Sequence, residues 1–429
     1  FFHFCDHFGK IEIKQKQTEN TRKMNIAFVH PDLGLGGAER LIVDAAVGLQ
    51  HHHHHHQPKN TVHVFTAHHD PNRAFEETID GTLNVKVYGN WFPRTLFGKL
   101  FIVCAMIRMF IVVFCIKLFF SPTPSSPSPS SSSSSMIATR RKDGDDEKFE
   151  EKSEKSSEAF DLFIVDQMSA PIPLIRLLFP RAKIVFYLHF PDKLLVQGRE
   201  QSLLKRLYRI PFDWIEEWTT GMSDCILVNS KFTLNVYKAS FPKLAARQAK
   251  QGTLPKVLYP CINTETYDVT PDESELDREL EDKFANHTVI VSVNRYERKK
   301  GVDLLVKAFA RLVQNKQNEK HKLLMVIAGG YDERVTENVQ YFNYLKQLVD
   351  QYGLQDKTLF LRSFTNAQRY TLFHKSFVLA YTPENEHFGI VPVEAMFCGR
   401  CVVAVNSGGP LESIVQGSTG LLTDPEPQA

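Results

Sequence analysis

The sequence has little excess charge of either sign, and its cysteines do not fall into a framework. It carries 51 basic and 49 acidic side chains, a formal net charge of +2, which gives no support for nucleic-acid binding. The seven cysteines are odd in number and scattered, so they favour a reducing compartment over a disulfide-bonded fold. Cys398 and Cys401 form a C-x-x-C without a second pair or a histidine at zinc spacing. We predict a helix end followed by a strand there, and no zinc site.

Two histidine-rich stretches also fall short of a metal site. His68, His69 and Asp70 are consecutive, but no third ligand follows at a suitable spacing. The run of six histidines at positions 51–56 lies between a helical pattern and a strand pattern, where a low-complexity loop insertion is the simplest interpretation. We therefore predict no metal ligands.

Residues 1–23 contain neither an initiator methionine nor a sustained apolar stretch. They are not typical of a secretory signal, and Met24 is the natural start of the pattern that follows. We expect these residues to be a non-native or disordered extension.

From Met24 onward, short apolar runs alternate with helical patterns, which is typical of a parallel α/β sheet. A chain of 429 residues is too long for one compact core. The sequence therefore predicts two doubly wound, Rossmann-like domains, residues 24–250 and 251–429, that face a cleft. The runs that predict strands in the two domains are MNIAFVH, TVHVFTA, LNVKVYG, DLFIVD, AKIVFYLH and CILVNS, then HTVIVSVN, KLLMVIAGG, TLFLRS, VLAYTP and CVVAVNS.

The first domain carries two unusual segments in succession. Residues 96–120 are apolar and long enough to span a bilayer, but a single crossing would place strands of one sheet on opposite sides of the membrane. Arg108 near the centre would add about 2.5 to 3.5 kcal/mol to the cost of insertion. We expect a membrane-surface helix, with a helix buried in the protein as the alternative. Residues 121–158, rich in serine, proline and charge, are predicted to be a disordered insert.

The stretch TPENEHFGIVPVEAM, residues 382–396, follows an apolar run that ends in proline. Gly389 permits close backbone approach, and the spacing predicts a helix that begins near Ile390. Backbone amides around Phe388, Gly389 and Ile390 would then suit a diphosphate. Glu386 in the loop can reach a sugar, and Glu394 in the helix can accept hydrogen bonds from ribose hydroxyls.

Other strand ends carry cations and glycines. In RYERKKG, Arg295 and Lys300 follow a predicted strand and can neutralise a leaving diphosphate. Gly408 and Gly409 follow the predicted strand CVVAVNS and offer a second amide-rich turn.

The first domain contributes strand ends of its own. Gly36 and Gly37 follow its first strand, but Glu39 stands where a dinucleotide fingerprint needs glycine or alanine. A tight loop that faces a phosphate or a sugar remains as the interpretation. His189 ends the strand AKIVFYLH and is placed for hydrogen bonding in a site.

Together, GGAER, HFPD, Arg295 with Lys300, the Glu386 and Glu394 pair, and SGGPLE resemble the retaining glycosyltransferases of family 4, which have the GT-B fold. Longer stretches, such as VLYPCIN and NRYERKKGVDLLVKAF, are similar to the alpha-1,3/1,6-mannosyltransferases of the dolichol-linked oligosaccharide pathway. The resemblance covers residues 24 to about 424, apart from the histidine run and the serine-rich insert. The family pattern continues past Ala429, so we expect the second domain to be truncated.

The resemblance implies transfer of mannose from GDP-mannose to mannosylated chitobiose on dolichol diphosphate, alpha-1,3 and then alpha-1,6, in N-glycan precursor assembly. It implies a catalytic role for Glu386 at the donor mannose and for His189 near the anomeric carbon, with Arg295 and Lys300 on the diphosphate and Glu394 on the ribose. It also implies no metal and no cofactor beyond the donor. The expected location is the cytosolic face of the endoplasmic reticulum membrane, with other mannosyltransferases of the pathway as partners.

Two alternatives remain open from the sequence. One is another family 4 enzyme of the same pathway, such as an alpha-1,2-mannosyltransferase, which an acceptor panel would distinguish. The other is a non-catalytic membrane scaffold for a partner transferase, in which substitution of Glu386 and His189 would leave the partner's activity intact.

Overall fold

The computed structural model describes residues 23–34, 36–51, 59–96, 100–120, 160–191, 194, 203–264, 267, 277–318 and 320–428. The expected extension, most of the histidine run and the serine-rich insert lie outside the described residues.

Two parallel sheets form the framework, as the alternation of apolar runs predicts. The seven-stranded sheet has the order β3-β2-β1-β4-β5-β6-β7, and the six-stranded sheet has the order β10-β9-β8-β11-β12-β13. The α/β fold class is therefore confirmed. The strands are β1 (Asn25–His30), β2 (Thr61–Thr66), β3 (Asn84–Val87), β4 (Leu162–Asp166), β5 (Lys183–Leu188), β6 (Cys225–Val228), β7 (Lys256–Val257), β8 (Thr288–Val293), β9 (Leu323–Gly329), β10 (Thr358–Arg362), β11 (Val378–Tyr381), β12 (Cys401–Val405) and β13 (Gly420–Thr423).

Helices connect the strands, as parallel pairing requires, because the chain must return to the same edge of the sheet before each new strand. The helices are α1 (Gly37–His51), α2 (Phe101–Phe120), α3 (Ile172–Leu178), α4 (Leu203–Thr220), α5 (Lys231–Ser240), α6 (Pro242–Gln251), α7 (Arg278–Asn286), α8 (Val302–Gln314), α9 (Thr336–Gln351), α10 (Asn366–His374), α11 (Ile390–Phe397) and α12 (Pro410–Ser413).

The chain divides into two compact units. We call Phe2–Phe186 with Leu203–Cys225 the amino-terminal unit, and Tyr187–Ser202 with Ile226–Ala429 the carboxyl-terminal unit. The boundary near residue 250 stays a prediction.

The core of the carboxyl-terminal unit lies on both faces of its six-stranded sheet. Along β9, Leu323, Met325 and Ile327 pack in a cluster with α8 and α9, whereas Leu324 and Val326 pack in the opposite cluster with α7 and α10. Successive side chains of a strand point to opposite faces, so a strand that is apolar at every position needs helices on both sides. This burial holds the carboxyl ends of the strands in fixed positions for the loops that follow.

In the amino-terminal unit, α2 buries one face and exposes the other. Leu100, which has a left-handed backbone with φ of 59°, precedes it, so the helix begins at Phe101. Among the described residues, α2 is the one helix with the length and hydropathy of a membrane span. Its buried residues are Cys104, Arg108, Met109, Val112, Val113 and Ile116.

Arg108 has a structural explanation inside the fold. Its Nη2 donates to the carbonyl oxygen of Ala67 at 2.7 Å, and its Nε donates to that of Gly89 at 3.3 Å. Each buried carbonyl left without a donor would cost about 1 to 3 kcal/mol. The arginine therefore belongs to the protein-facing side of α2, while the exposed Lys117 lies on the other side.

Candidate functional site

The loop between β11 and α11 turns sharply at Gly389. This residue has φ of 80°, and a Cβ built on it would lie 3.2 Å from the ring of Tyr381. Helix α11 begins at Ile390, which confirms the predicted start, and Pro392 is its third residue. The first amides of a helix have no partner inside it, and its dipole is positive at this end. The turn therefore presents a local anion-binding geometry at the carboxyl edge of the sheet.

Glu386 and Lys300 form an ion pair at this edge. The Lys300 ammonium donates to Oε2 of Glu386, and both side chains are mostly buried. The two residues meet because β8 and β11 are neighbours in the sheet, so the loops that follow them are adjacent. Thr382 strengthens the contact between these loops, since its Oγ1 donates to the carbonyl oxygen of Lys300 at 2.8 Å.

The charge state of Glu386 follows from this pairing. Burial favours the neutral carboxyl, but the adjacent charge and hydrogen bond of Lys300 outweigh it and hold the pKa of Glu386 below its usual value. The pair is therefore an ionised carboxylate beside an ammonium. A carboxylate accepts hydrogen bonds from sugar hydroxyls, and an ammonium neutralises phosphate oxygens.

Gly408 and Gly409 bring the loop after β12 against the loop that carries Glu386. The Gly409 amide donates to the carbonyl oxygen of Glu386 at 2.7 Å. A Cβ on Gly408 would lie 2.5 Å from that same oxygen, and one on Gly409 would lie 2.3 Å from Cα of Phe388. Larger residues would push the two loops apart, so glycine at both positions holds the backbone around Glu386. The binding role predicted for Gly408 and Gly409 stays a prediction.

His387 and His189 belong to the same part of the carboxyl-terminal unit. The ring of His387 stacks on that of Phe190, with centroids 3.8 Å apart, and its carbonyl oxygen accepts from Ser230 Oγ at 2.5 Å. Burial lowers the pKa of His387 to about 4, so its imidazole is neutral at physiological pH. The half-buried His189 packs on the ring of Tyr187, with ring centroids 4.8 Å apart.

Glu394 lies one turn into α11 and faces an aromatic hydroxyl. Its Oε1 accepts a hydrogen bond from Tyr267 Oη at 2.6 Å. Burial raises the pKa of the Glu394 carboxyl above its usual value. The ribose-binding role of Glu394 stays a prediction, and Tyr267 is the residue that orients it here.

Arg295 is the most exposed of the predicted charged site residues. Its side chain is 58% exposed and its Nη1 lies 3.3 Å from Oε1 of Glu297. The structure thus places Arg295 at the protein surface, although it lies five residues before the mostly buried Lys300 in the sequence. Its diphosphate contact stays a prediction.

Gly36 and Gly37 lie in the amino-terminal unit, where α1 begins. A Cβ on Gly36 would lie 2.1 Å from Oε2 of Glu39, so this glycine makes room for the carboxylate of Glu39. A Cβ on Gly37 would meet nothing within 4 Å. The donor-binding role predicted for both glycines stays a prediction.

Sequence reasoning passed over several residues of these edges. His387 stands next to Glu386 in the motif, and Tyr381 ends β11, yet neither is singled out by spacing. His30 and Asp166 end the strands β1 and β4, and their side chains are wholly buried. Their position, a polar residue at the carboxyl end of a buried strand, was the signal in the sequence that could have identified His30 and Asp166. In the part of the chain that the structure describes, no three histidine, cysteine or acidic side chains are grouped as for a metal.

Comparison with known proteins identifies the class. Residues 273–429 match the family model of the group 1 glycosyl transferases. The fold is similar to the crystal structure of Anabaena Alr3699/HepE in complex with UDP and glucose, with a TM-score of 0.61, 20% identity and coverage of 94% of this chain and 87% of that one. A sucrose-phosphate synthase from Thermosynechococcus elongatus gives a TM-score of 0.59 at 17% identity, over 94% and 84% of the two chains. The fold is that of the GT-B glycosyltransferases, as predicted.

Full-length relatives narrow the class to one family. The alpha-1,3/1,6-mannosyltransferase ALG2 of Rhizomucor pusillus is 42% identical over 427 residues, which cover 95% of this chain and 82% of the relative. The human alpha-1,3/1,6-mannosyltransferase ALG2 is 41% identical over 97% of this chain and 88% of its own length. The chain belongs to the alpha-1,3/1,6-mannosyltransferase family, and it is a mannosyltransferase.

Replacing Gly408 with alanine tests whether the contact between the two loops holds Glu386 in place. Gly408 has φ of 66°, and Gly399, just past the end of α11, has φ of 73°. A Cβ at Gly399 meets nothing within 4 Å, so the only cost of Gly399→Ala is that of a left-handed backbone at alanine. We expect Gly399→Ala to lower the free energy of unfolding by about 1 kcal/mol.

Gly408→Ala adds a clash with the Glu386 backbone, and we expect a further loss of about 1 to 3 kcal/mol together with a fall in mannosyl transfer. Urea unfolding and initial rates measure the two effects. Equal losses for the two variants would contradict the contact.

Proposed function

We propose that this chain transfers mannose from GDP-mannose to the mannosylated chitobiose of dolichol diphosphate, first in alpha-1,3 and then in alpha-1,6 linkage. Membership of the alpha-1,3/1,6-mannosyltransferase family supports the two linkages. The observation that supports the donor site is the buried ion pair of Lys300 and Glu386 beside the start of α11. The donor base, the dolichol carrier and the order of the two linkages are parts of the proposal.

The chemistry assigned to these residues follows from their charges. When the bond between the anomeric carbon and the diphosphate breaks, negative charge builds on the leaving oxygen. The Lys300 ammonium and the amides at Ile390 are suited to stabilise that charge, which is the largest electrostatic demand of the step. In this proposal Glu386 holds the mannose hydroxyls, and His189 lies near the anomeric carbon.

The stereochemistry proposed is retention by front-side attack. The acceptor hydroxyl approaches the face from which the diphosphate leaves, and a leaving phosphate oxygen takes its proton. The neutral imidazole of His387 next to Glu386 fits this route, since it donates or accepts a hydrogen bond without adding charge. No resident metal is invoked, because a protein cation and helix amides supply the positive charge.

The assay is transfer of labelled mannose from GDP-mannose to dolichol-linked acceptors by the purified chain in detergent. We expect two successive additions, sensitive to linkage-specific mannosidases. Lys300→Met and Glu386→Gln should each lower kcat/KM by about 100-fold, because each removes a charge that the transition state uses. Glu384→Gln is the matched control, since Glu384 is an exposed carboxylate in the same loop, and it should stay near the wild-type rate.

Several outcomes would count against the proposal. Full activity of both Lys300→Met and Glu386→Gln would show that this ion pair is not part of the donor site. Transfer only in alpha-1,2 linkage would favour the other enzyme of the pathway. Activity that appears only with a co-purified partner and survives both substitutions would favour a scaffold.

We also propose that the amino-terminal unit rests on the endoplasmic reticulum membrane at its cytosolic face. On α2, Phe101, Phe114, Leu118 and Phe119 are more than half exposed, although they are large and apolar. Helix α3 packs against both α2 and α4. On α4, Trp214 and Trp218 are exposed and stacked on each other, with centroids 6.0 Å apart.

An exposed patch of this kind is typical of a membrane contact, and tryptophan favours the bilayer interface. The patch supports contact along the surface better than a crossing, since the opposite face of α2 is buried in protein.

Flotation with liposomes of endoplasmic reticulum lipids tests this contact. We expect the triple variant Phe114→Ser, Leu118→Ser and Phe119→Ser to lose most of the bound fraction, because three apolar side chains no longer leave water. The control replaces Phe377, Val415 and Leu421, which are also exposed but belong to the carboxyl-terminal unit, with serine. Equal binding of the two triple variants would contradict the assignment to α2.

A further inference from the structure

A buried histidine connects two carboxylates in the amino-terminal unit. His30 ends β1 and Asp166 ends β4, and the two strands pair in parallel with Val29 opposite Val165. The Nδ1 atom of His30 lies 2.8 Å from Oδ2 of Asp166, and both side chains are fully buried. On the other side of the ring, Nε2 lies 3.8 Å from Oε1 of Glu39 and 3.1 Å from the carbonyl oxygen of Asp32.

The imidazole between these groups is charged. Burial opposes the charge, but the hydrogen bonds and charges of Asp166 and Glu39 outweigh it and raise the pKa of His30 to about 9. Both ring nitrogens of an imidazolium are donors. Nδ1 therefore donates to Asp166, and Nε2 faces the carbonyl oxygen of Asp32 and the carboxylate of Glu39. One cation thus lies between two carboxylates, and the three groups together carry one negative charge.

Glu39 is held in one pose from several directions. It lies in the first turn of α1, and its carboxylate folds over Gly36, so that a Cβ at Gly36 would displace it. Gln167 Nε2 lies 3.5 Å from Glu39 Oε1, and Gln167 has a left-handed backbone with φ of 60°. Such a conformation is uncommon outside glycine and is found at functional sites more often than elsewhere. Unlike His30 and Asp166, the Glu39 side chain is 19% exposed.

The position in the sheet favours a ligand. Strands β2 and β3 lie on one side of β1, and β4 and its successors lie on the other, so the strand order reverses between β1 and β4. Open α/β sheets bind ligands at the carboxyl ends of the strands at this point. His30, Asp166 and Glu39 all lie there.

The charge of the group decides between the two ligands that the glycine-rich loop allows. A net negative charge repels a diphosphate, whereas an ionised carboxylate with a fixed orientation accepts hydrogen bonds from neutral hydroxyls. The group therefore favours a sugar.

We propose that Glu39 binds hydroxyls of the acceptor oligosaccharide, and that His30 and Asp166 are positioning residues that keep its carboxylate ionised and oriented. This inference rests on the proposed mannosyl transfer. It adds an acceptor contact in the amino-terminal unit to the donor contacts of the carboxyl-terminal unit. Proton transfer is not assigned to Glu39.

Steady-state kinetics with varied acceptor and varied donor test the role of Glu39. Glu39→Gln keeps the shape but removes the charge, and we expect the KM for acceptor to rise about tenfold while the KM for GDP-mannose stays unchanged. Gly36→Ala displaces the carboxylate without removing it and should give the same split. The matched control is Glu77→Gln. Glu77 forms an ion pair with Arg40, which follows Glu39 on α1, and this substitution should leave both constants unchanged.

The positioning role has its own readout. His30→Gln should raise the acceptor KM like Glu39→Gln, and the double variant should be no worse than either single variant, because one acts through the other. Additive effects would overturn the positioning role of His30.

Direct binding separates this inference from the proposed reaction. Calorimetry with the acceptor oligosaccharide on a short isoprenoid diphosphate should show binding to the wild-type chain and about tenfold weaker binding to Glu39→Gln. An unchanged acceptor constant in Glu39→Gln, or equal losses for acceptor and donor with a lower Tm, would overturn the inference. Absence of mannosyl transfer by a wild-type chain that still binds the acceptor in this way would sink the proposed reaction and leave the acceptor contact standing.

Discussion

The adjacency of β8 and β11 in a parallel sheet is the constraint on which the donor-type site depends. It places the turn that ends at Lys300 beside the loop that carries Glu386, so that the two charges pair although 86 residues separate them. A buried ammonium or carboxylate alone would be costly, and each makes the other tolerable. Truncating one partner would leave the other charge buried without compensation. The contacts of Thr382, Gly408 and Gly409 all hold these loops close enough for Lys300 and Glu386 to pair.

The two units differ in the charge that they offer to a ligand. In the carboxyl-terminal unit, Lys300 and the start of α11 provide positive potential next to a single carboxylate. In the amino-terminal unit, His30 lies between Asp166 and Glu39, and the group is negative overall. A sugar nucleotide carries negative charge on its diphosphate, whereas the sugar residues of an acceptor present neutral hydroxyls. This difference in charge matches the proposed division of donor and acceptor between the units.

Much of the fold could be predicted from local pattern. Each apolar run named in the sequence contains an observed strand. Inner strands such as β4 and β9 are buried at every position, because a strand covered by helices on both faces must be apolar along its length. The start of α11 at Ile390 was also readable, since glycine and proline restrict the backbone there. Strands β7 and β13 were missed. Strand β7 has only two residues, and GLLT is short, carries the exposed Leu421 and becomes a strand only through pairing with β12.

The candidate site was predictable in kind but not in its pairings. Strand-end charges and glycines marked Lys300, Glu386 and Gly408, yet the contact of Lys300 with Glu386 depends on strand order, which local pattern does not contain. The same holds for His30 with Asp166 and for Tyr267 with Glu394, where the partners lie 136 and 127 residues apart. Side-chain pairing over such separations is a property of the folded sheet.

The central claim is that Lys300 serves the diphosphate and Glu386 serves the sugar of one bound donor. Calorimetric titration of the wild-type chain, Lys300→Met and Glu386→Gln with GDP and with GDP-mannose tests it most directly. The account predicts that Lys300→Met weakens binding of both ligands by about tenfold, whereas Glu386→Gln weakens GDP-mannose and leaves GDP unchanged. Equal weakening of GDP and GDP-mannose by Glu386→Gln, or unchanged binding of both by Lys300→Met, would contradict it.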